Sequence, residues 1–136
     1  MPASVSVTIH APLTKVWEHL TKPDLIKQYF FGTAVETDWK PGSPICFRGS
    51  FEGKTYEDKG KILEFQPPKH LSFLYWSSFS GLPDLPENYQ TVSYDLRAEQ
   101  GNTSVAVNQD CLESKKEHCE QNWSMVLAGL KKQVEG

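Results

Sequence analysis

The chain has little of what marks several large functional classes. It has no dense run of lysine and arginine. With 14 basic against 17 acidic residues its formal charge is −3, so the electrostatic footprint of a nucleic-acid binder is missing. No apolar run approaches the roughly 20 residues that a bilayer-spanning helix needs. The opening MPASVSVTIHAP lacks the basic and apolar stretches of a secretory leader. There are three cysteines, Cys46, Cys111 and Cys119, and their odd count and irregular spacing do not resemble a disulfide framework. The expectation is a reduced, cytoplasmic protein. Cys111 then reads as an ordinary strand-end thiol and Cys119 as a small buried hydrophobe.

Chemistry-bearing patterns are equally sparse. His10, His19, His70 and His118 stand in no motif with a nucleophile and a carboxylate. Cys111 with His118 and Cys119 is not a zinc spacing, and a structural zinc site wants four ligands. GSPICFRG lacks both the pattern of a phosphate-cradling loop and the helix that should follow it. The carboxylates Glu52, Glu57, Asp58 and Glu64 fall on or near strands, and the alternation in YEDKGK reads as a solvated strand face. No metal, cofactor or catalytic set is expected, and the chain reads as a non-enzyme.

What is present is patterning. At 136 residues the chain suits one domain, residues 1–136, with enough burial for a core without staples. Val5, Val7 and Ile9 alternate as in a half-buried strand. Pro12 and Pro23 open two short helices, with Leu13, Val16, Trp17 and Leu20 and then Leu25, Ile26, Tyr29 and Phe30 facing inward; Gly32 ends the second. From Thr33 the period falls to two. A short strand over 33–36 is followed by the WKPGSP turn and by ICFRGSF, with Ile45, Phe47, Gly49 and Phe51 on one side. YEDKGKILEF breaks its alternation at Ile62 and Leu63, and Gly60 hints at a bulge or bend. Leu71, Phe73 and Tyr75 share a face, as do Val92, Tyr94 and Leu96, and then Val105 and Val107. QGN joins the last two strands as a tight turn.

Ser114 and Glu117 form a capping-box pattern, predicting a helix from Ser114 to Glu135. Cys119, Trp123, Val126, Leu127, Leu130 and Val134 trace its single apolar stripe. Gly129 weakens it, which implies either close approach by another segment or loose packing. Lys131 and Lys132 read as a solvated helix end. A long helix laid on a bent antiparallel sheet accounts for all these faces.

The order of one strand, two short helices, about six strands and one long helix resembles the helix-grip fold of START-like domains, the SRPBCC superfamily. APLTKVWEHLTKPDLIKQYFFG, TDWKPGSPICFRG, GKILEFQPPKHLSFLYW and NWSMVLAGLKKQVE resemble segments of its activator-of-heat-shock-protein-90-ATPase homologues. Gly42, Ser43, Pro44 stand where the family often has Gly-Gly after the turn proline, and Asn122, Trp123 where it often has Gly-Trp. The resemblance implies an α+β fold with a curved antiparallel sheet wrapped around the last helix, and a cavity between them.

Aromatic residues are the richest signal for a site. Trp17, Phe30, Phe31, Trp39, Phe47, Tyr56, Phe73, Tyr75, Tyr94 and Trp123, with Leu127, are the candidate walls of that cavity. Three tyrosines bring hydroxyls, and Arg48 a charge at the rim. The loop around Gly81 to Pro86 is the candidate mouth or lid. A small apolar or aromatic ligand is the expected partner. The alternative is a co-chaperone-type interaction module in stress response, although the chain has no room for the second domain that the eukaryotic activator uses to engage the chaperone. Neither nucleic acid nor membrane is expected as a partner, and edge strands leave a monomer or a homodimer open.

Overall fold

The structure, a computed structural model, describes residues 3–78 and 80–136, apart from the side chain of Phe51. The inward placement expected for Phe51 therefore lies outside the described residues. The elements run β1 (Ala3–Ile9), α1 (Leu13–Thr21), α2 (Pro23–Tyr29), β2 (Ala34–Glu36), β3 (Pro44–Phe51), β4 (Lys54–Gln66), β5 (His70–Trp76), β6 (Gln90–Glu99), β7 (Asn102–Gln109) and α3 (Lys116–Glu135). The strands form one antiparallel sheet in the order β1-β7-β6-β5-β4-β3-β2. With α3 lying across its concave face, this is the helix-grip architecture.

Register decides what faces the helix. Ile45 pairs with Gly60, Phe47 with Asp58 and Gly49 with Tyr56. Across the next ladders Gly60 opposes Tyr75, Phe73 opposes Val92, and Tyr94 opposes Val107. Because side chains alternate along a strand, these positions share the inner face. The adjacent pair Ile62 and Leu63 is resolved by a register shift between Ile62 and Glu64, which leaves Ile62 buried and Leu63 outside. Gly60 serves a close approach: a Cβ there would collide with the Leu74 carbonyl.

α3 buries Trp123, Val126, Leu127, Leu130 and Val134. Gly129 is where α2 comes nearest, since a Cβ added there would lie 3.3 Å from Tyr29 Cβ. Close approach, not loose packing, explains that glycine. Three expectations about α3 need correction. It begins at Lys116, after a 3₁₀ turn over Glu113–Lys115, and no side-chain hydrogen bond caps it. The Ser114–Glu117 box does not form because the 3₁₀ turn shifts the start of the helix two residues along. Lys131 is not simply solvated: its ammonium donates to the Thr8 carbonyl at 2.7 Å and pairs with Glu135 at 2.6 Å. Cys119, expected as a buried thiol, is half-buried and joined to Cys111 in a disulfide, with Cα atoms 7.0 Å apart. The odd cysteine count and irregular spacing hid this pairing; the fold of the connection after β7 brings the first turn of α3 back to Cys111.

Candidate functional site

Two concavities among the described residues differ in kind. One lies between sheet and helices. It is a void of about 20 Å³ walled by Leu20, Ile26, Tyr29, Phe30, Val35, Trp39, Ile45, Phe47, Leu71, Phe73 and Tyr94. Room for about one water molecule is all that such a volume provides. The other is a groove of about 630 Å³ open to solvent, lined by Arg48, Gly49, Thr55, Tyr56, Glu57, Lys59, Trp76, Ser78 and Asp84. Its charges are spent on each other. Arg48 meets Glu36 at 2.7 Å and Glu57 at 3.4 Å, Lys59 meets Asp84 at 2.5 Å, and Lys59 also lies 5.9 Å from the Trp76 ring centre. Arg48 is therefore held on the outer face, not at the rim of the interior.

The interior is small because rings fill it. Phe47 contacts Phe30, Phe73 and Tyr75, with ring centres 6.5, 5.7 and 5.5 Å away. Trp123 stands edge-on to Phe30 at 5.9 Å and to Tyr94 at 5.7 Å. Such tilted and edge-to-face pairs are the favoured arrangements of aromatic quadrupoles. A second group forms farther along, where Phe65 packs between Trp17 and Trp39 at 5.5 and 5.9 Å.

The eleven candidate residues are thus distributed unequally. Phe30, Trp39, Phe47, Phe73 and Tyr94 wall the void. Tyr75 and Trp123 pack against those walls, while Leu127 lies fully buried on α3. Tyr56 turns toward the strand edge, where its ring lies over Gly49 and its hydroxyl shares a 2.6 Å hydrogen bond with Thr33. Trp17 belongs to the Phe65 group. Phe31 is 55% exposed. Its backbone takes the left-handed region, φ 56°, and Gly32 N–H closes on the Lys27 carbonyl behind it. That helix-ending turn aims the Phe31 ring outward.

Polar groups on the inner face were the part that sequence reasoning missed. Asp58 is buried, not on a solvated face, because it pairs with inward-facing Phe47 while Glu57 and Lys59 point out. Its carboxylate accepts from the Tyr75 hydroxyl at 2.6 Å, the Ser78 N–H at 2.9 Å and the Ser78 hydroxyl at 3.2 Å. Burial first, and then the Asp58 carboxylate, push the Tyr75 hydroxyl far above the ordinary phenol range. Gln109 accepts the Trp123 indole N–H at 2.8 Å and donates to Gln90 at 2.6 Å. Strict period-two counting through Tyr56 and Asp58 was the signal that could have found Asp58. Tyr94 is different again. Burial alone raises its hydroxyl above the phenol range.

The long connection after β5 is tied to the site's edge. Ser78 hangs on Asp58, the Trp76 indole donates to the Leu82 carbonyl at 3.2 Å, and Lys115 reaches the Ser80 carbonyl at 3.5 Å. Among the described residues no group of three or more His, Cys, Asp or Glu side chains is arranged to hold a metal ion. Nor is any helix there long and apolar enough to cross a membrane.

Solved structures repeat this architecture. A protein of Cytophaga hutchinsonii, determined in solution, is 45% identical, with a TM-score of 0.85 over 99% of this chain and 94% of its own. CalU16 from Micromonospora echinospora is 21% identical, with a TM-score of 0.78 over 96% of this chain and 74% of its own. The Aha1 dimer from Colwellia psychrerythraea is 19% identical, with a TM-score of 0.75 over 99% and 96%. The latter two likenesses speak for the fold alone. No curated protein matches the sequence. The family model described as activator of Hsp90 ATPase homolog 1-like protein matches residues 10–135, nearly the full length, and on that match the chain belongs to this family.

Proposed function

We propose that the protein is a cytoplasmic binding domain for a small apolar or aromatic ligand, held between the sheet and α3. The supporting observation is the set of aromatic walls, Phe30, Trp39, Phe47, Phe73 and Tyr94, around the void beside α3. Aromatic walls with a few polar groups among them are the usual lining of a small-molecule site, and Tyr94 brings a hydroxyl to the walls of this void. A ligand with an apolar body and one acceptor oxygen would match that lining. Ligand pockets usually measure about 300–1,000 Å³, so the 20 Å³ void is the closed form of such a site. Uptake requires the rings to part, most simply where the start of α3 meets the loop after β5.

Binding is favoured over catalysis because Asp58 already accepts three hydrogen bonds, which ties it to the loop and leaves it poorly placed to take a proton from substrate. Native mass spectrometry of freshly purified protein, set against its denatured mass, tests the proposal. An extra non-covalent mass is expected. Tyr94→Phe should retain the fold and weaken retention about tenfold, the worth of one hydrogen bond. A clean mass, with no uptake from a panel of aromatic acids and ketones, would remove the reading.

The closed interior favours a second reading, an interaction module acting on a chaperone, which a sealed core would suit. Stimulation of a chaperone's ATPase by the purified chain would carry it, and no contact in a pull-down would end it.

A further inference from the structure

We propose that the Cys111–Cys119 disulfide is a redox latch on the start of α3 and controls access to the aromatic interior. The consequence for access rests on the ligand-binding reading; the latch itself does not.

The first two turns of α3 have few other holds. Residues 116–122 bury no side chain in the core, and no side chain caps the helix. The hydrogen bonds from Ser4 N–H to Glu120 and from Lys115 to the Ser80 carbonyl lie in solvent, at 3.1 and 3.5 Å. The disulfide duplicates a contact made deeper in the seam. Cys111 follows Gln109 by two residues, and Cys119 precedes Trp123 by one helical turn. The sulfur bridge and the Gln109–Trp123 hydrogen bond thus join the same two segments, one at the surface and one inside. Trp123 in turn closes on Phe30 and Tyr94. With the bridge intact, this end of the seam is shut twice. Without it, the unpacked turns are free to swing about Trp123.

The exchange needs a thiol partner, and any low-molecular-weight thiol of the cytoplasm supplies one. Its thiolate attacks Sγ of half-buried Cys119, the Cys119–Cys111 bond breaks, and Cys111 leaves as a thiolate that takes up a proton. A second small thiol then attacks the mixed disulfide, releasing Cys119 as a thiol and the small molecule as its disulfide. Two electrons pass from the two small thiols to the protein. A low-molecular-weight disulfide drives the reverse. In a reducing compartment, disulfides of this kind are usually transient and redox-sensing.

The test uses the full chain carrying Cys46→Ser, which removes the one free thiol. Alkylation under denaturing conditions should find no thiol after treatment with a small disulfide and both thiols after reduction. Amide hydrogen exchange over residues 112–123 should quicken about tenfold on reduction, the behaviour of a locally released segment, with residues 126–134 unchanged. A Cys111→Ser, Cys119→Ser variant should exchange like the reduced form and ignore reductant. The fluorescent apolar probe anilinonaphthalene sulfonate should bind about tenfold more tightly to the reduced form, by removal of a closed-state tax. Two alkylated thiols after oxidation, or identical exchange in both forms, would overturn the latch. Equal probe binding in both forms with altered exchange would overturn its control of access. If exchange changes and neither form takes up probe or any retained ligand, the latch stands and the ligand-binding reading falls.

Discussion

The two halves of α3 are held by different physics. From Trp123 onward the helix buries a side chain at nearly every turn, and Lys131, Gln133 and Glu135 bond to Thr8, Leu25 and His10. From Lys116 to Asn122 it buries none. One half rests on burial, which is cooperative with the whole core. The other rests on one covalent bridge and solvent-exposed hydrogen bonds, which act locally. The proposed uptake of a guest without unfolding would draw on such a division, with one end as anchor and the other as the end released.

Substitutions can break or sharpen that contrast. Leu130→Ala, at a site with 0% exposure, should show the largest effect, a loss of about 3 kcal/mol in denaturant unfolding. Gln121→Ala in the exposed half should change stability by less than about 0.5 kcal/mol; equal losses would erase the distinction. Next in size is reduction of Cys111–Cys119, which closes a short loop and should cost about 2 kcal/mol, read as a lower thermal midpoint with reductant in a Cys46→Ser background. Gln109→Leu at the boundary leaves the Trp123 N–H buried without an acceptor. It should cost about 1–2 kcal/mol, and the loss should be greater in the reduced protein if bridge and hydrogen bond share one task.

The smallest effect belongs to a control far from α3. His70 bonds Asp95 at 2.6 Å and Glu64 at 3.1 Å on the outer face. Burial draws its pKa down, but the two carboxylates outweigh this, and the net shift is upward. A raised folded pKa means that the stabilisation is complete below the unfolded value of about 6.5. It disappears as pH rises through the folded value. Wild type should therefore lose stability relative to His70→Gln across that window, measured by thermal unfolding over pH, with exchange in α3 unaltered.

How far the residues announced this arrangement depends on the range over which each acts. Val5, Val7 and Ile9, or Val105 and Val107, declare their face by alternation, because burial on one side of a strand is a local pattern. Trp123 to Val134 do so at helical spacing. Asp58 was misread because a carboxylate looks solvated until the register with Phe47 turns it inward. Phe31 looked like a cavity wall until a left-handed turn rotated it out. Cys111 and Cys119 gave no sign of pairing, since their meeting depends on how the connection after β7 folds back.

Period, turn chemistry and order were thus enough to specify a sheet wrapped on a terminal helix, and which aromatics would face inward was largely legible. Those properties come from neighbours within a few residues. Whether the rings interlock or leave space, and which end of α3 is bridged, were decided only by the tertiary structure. The first depends on distances between segments far apart in the chain, where a shift smaller than one side chain separates a sealed interior from a hollow one; the second depends on how the chain folds back between Cys111 and Cys119, eight residues apart.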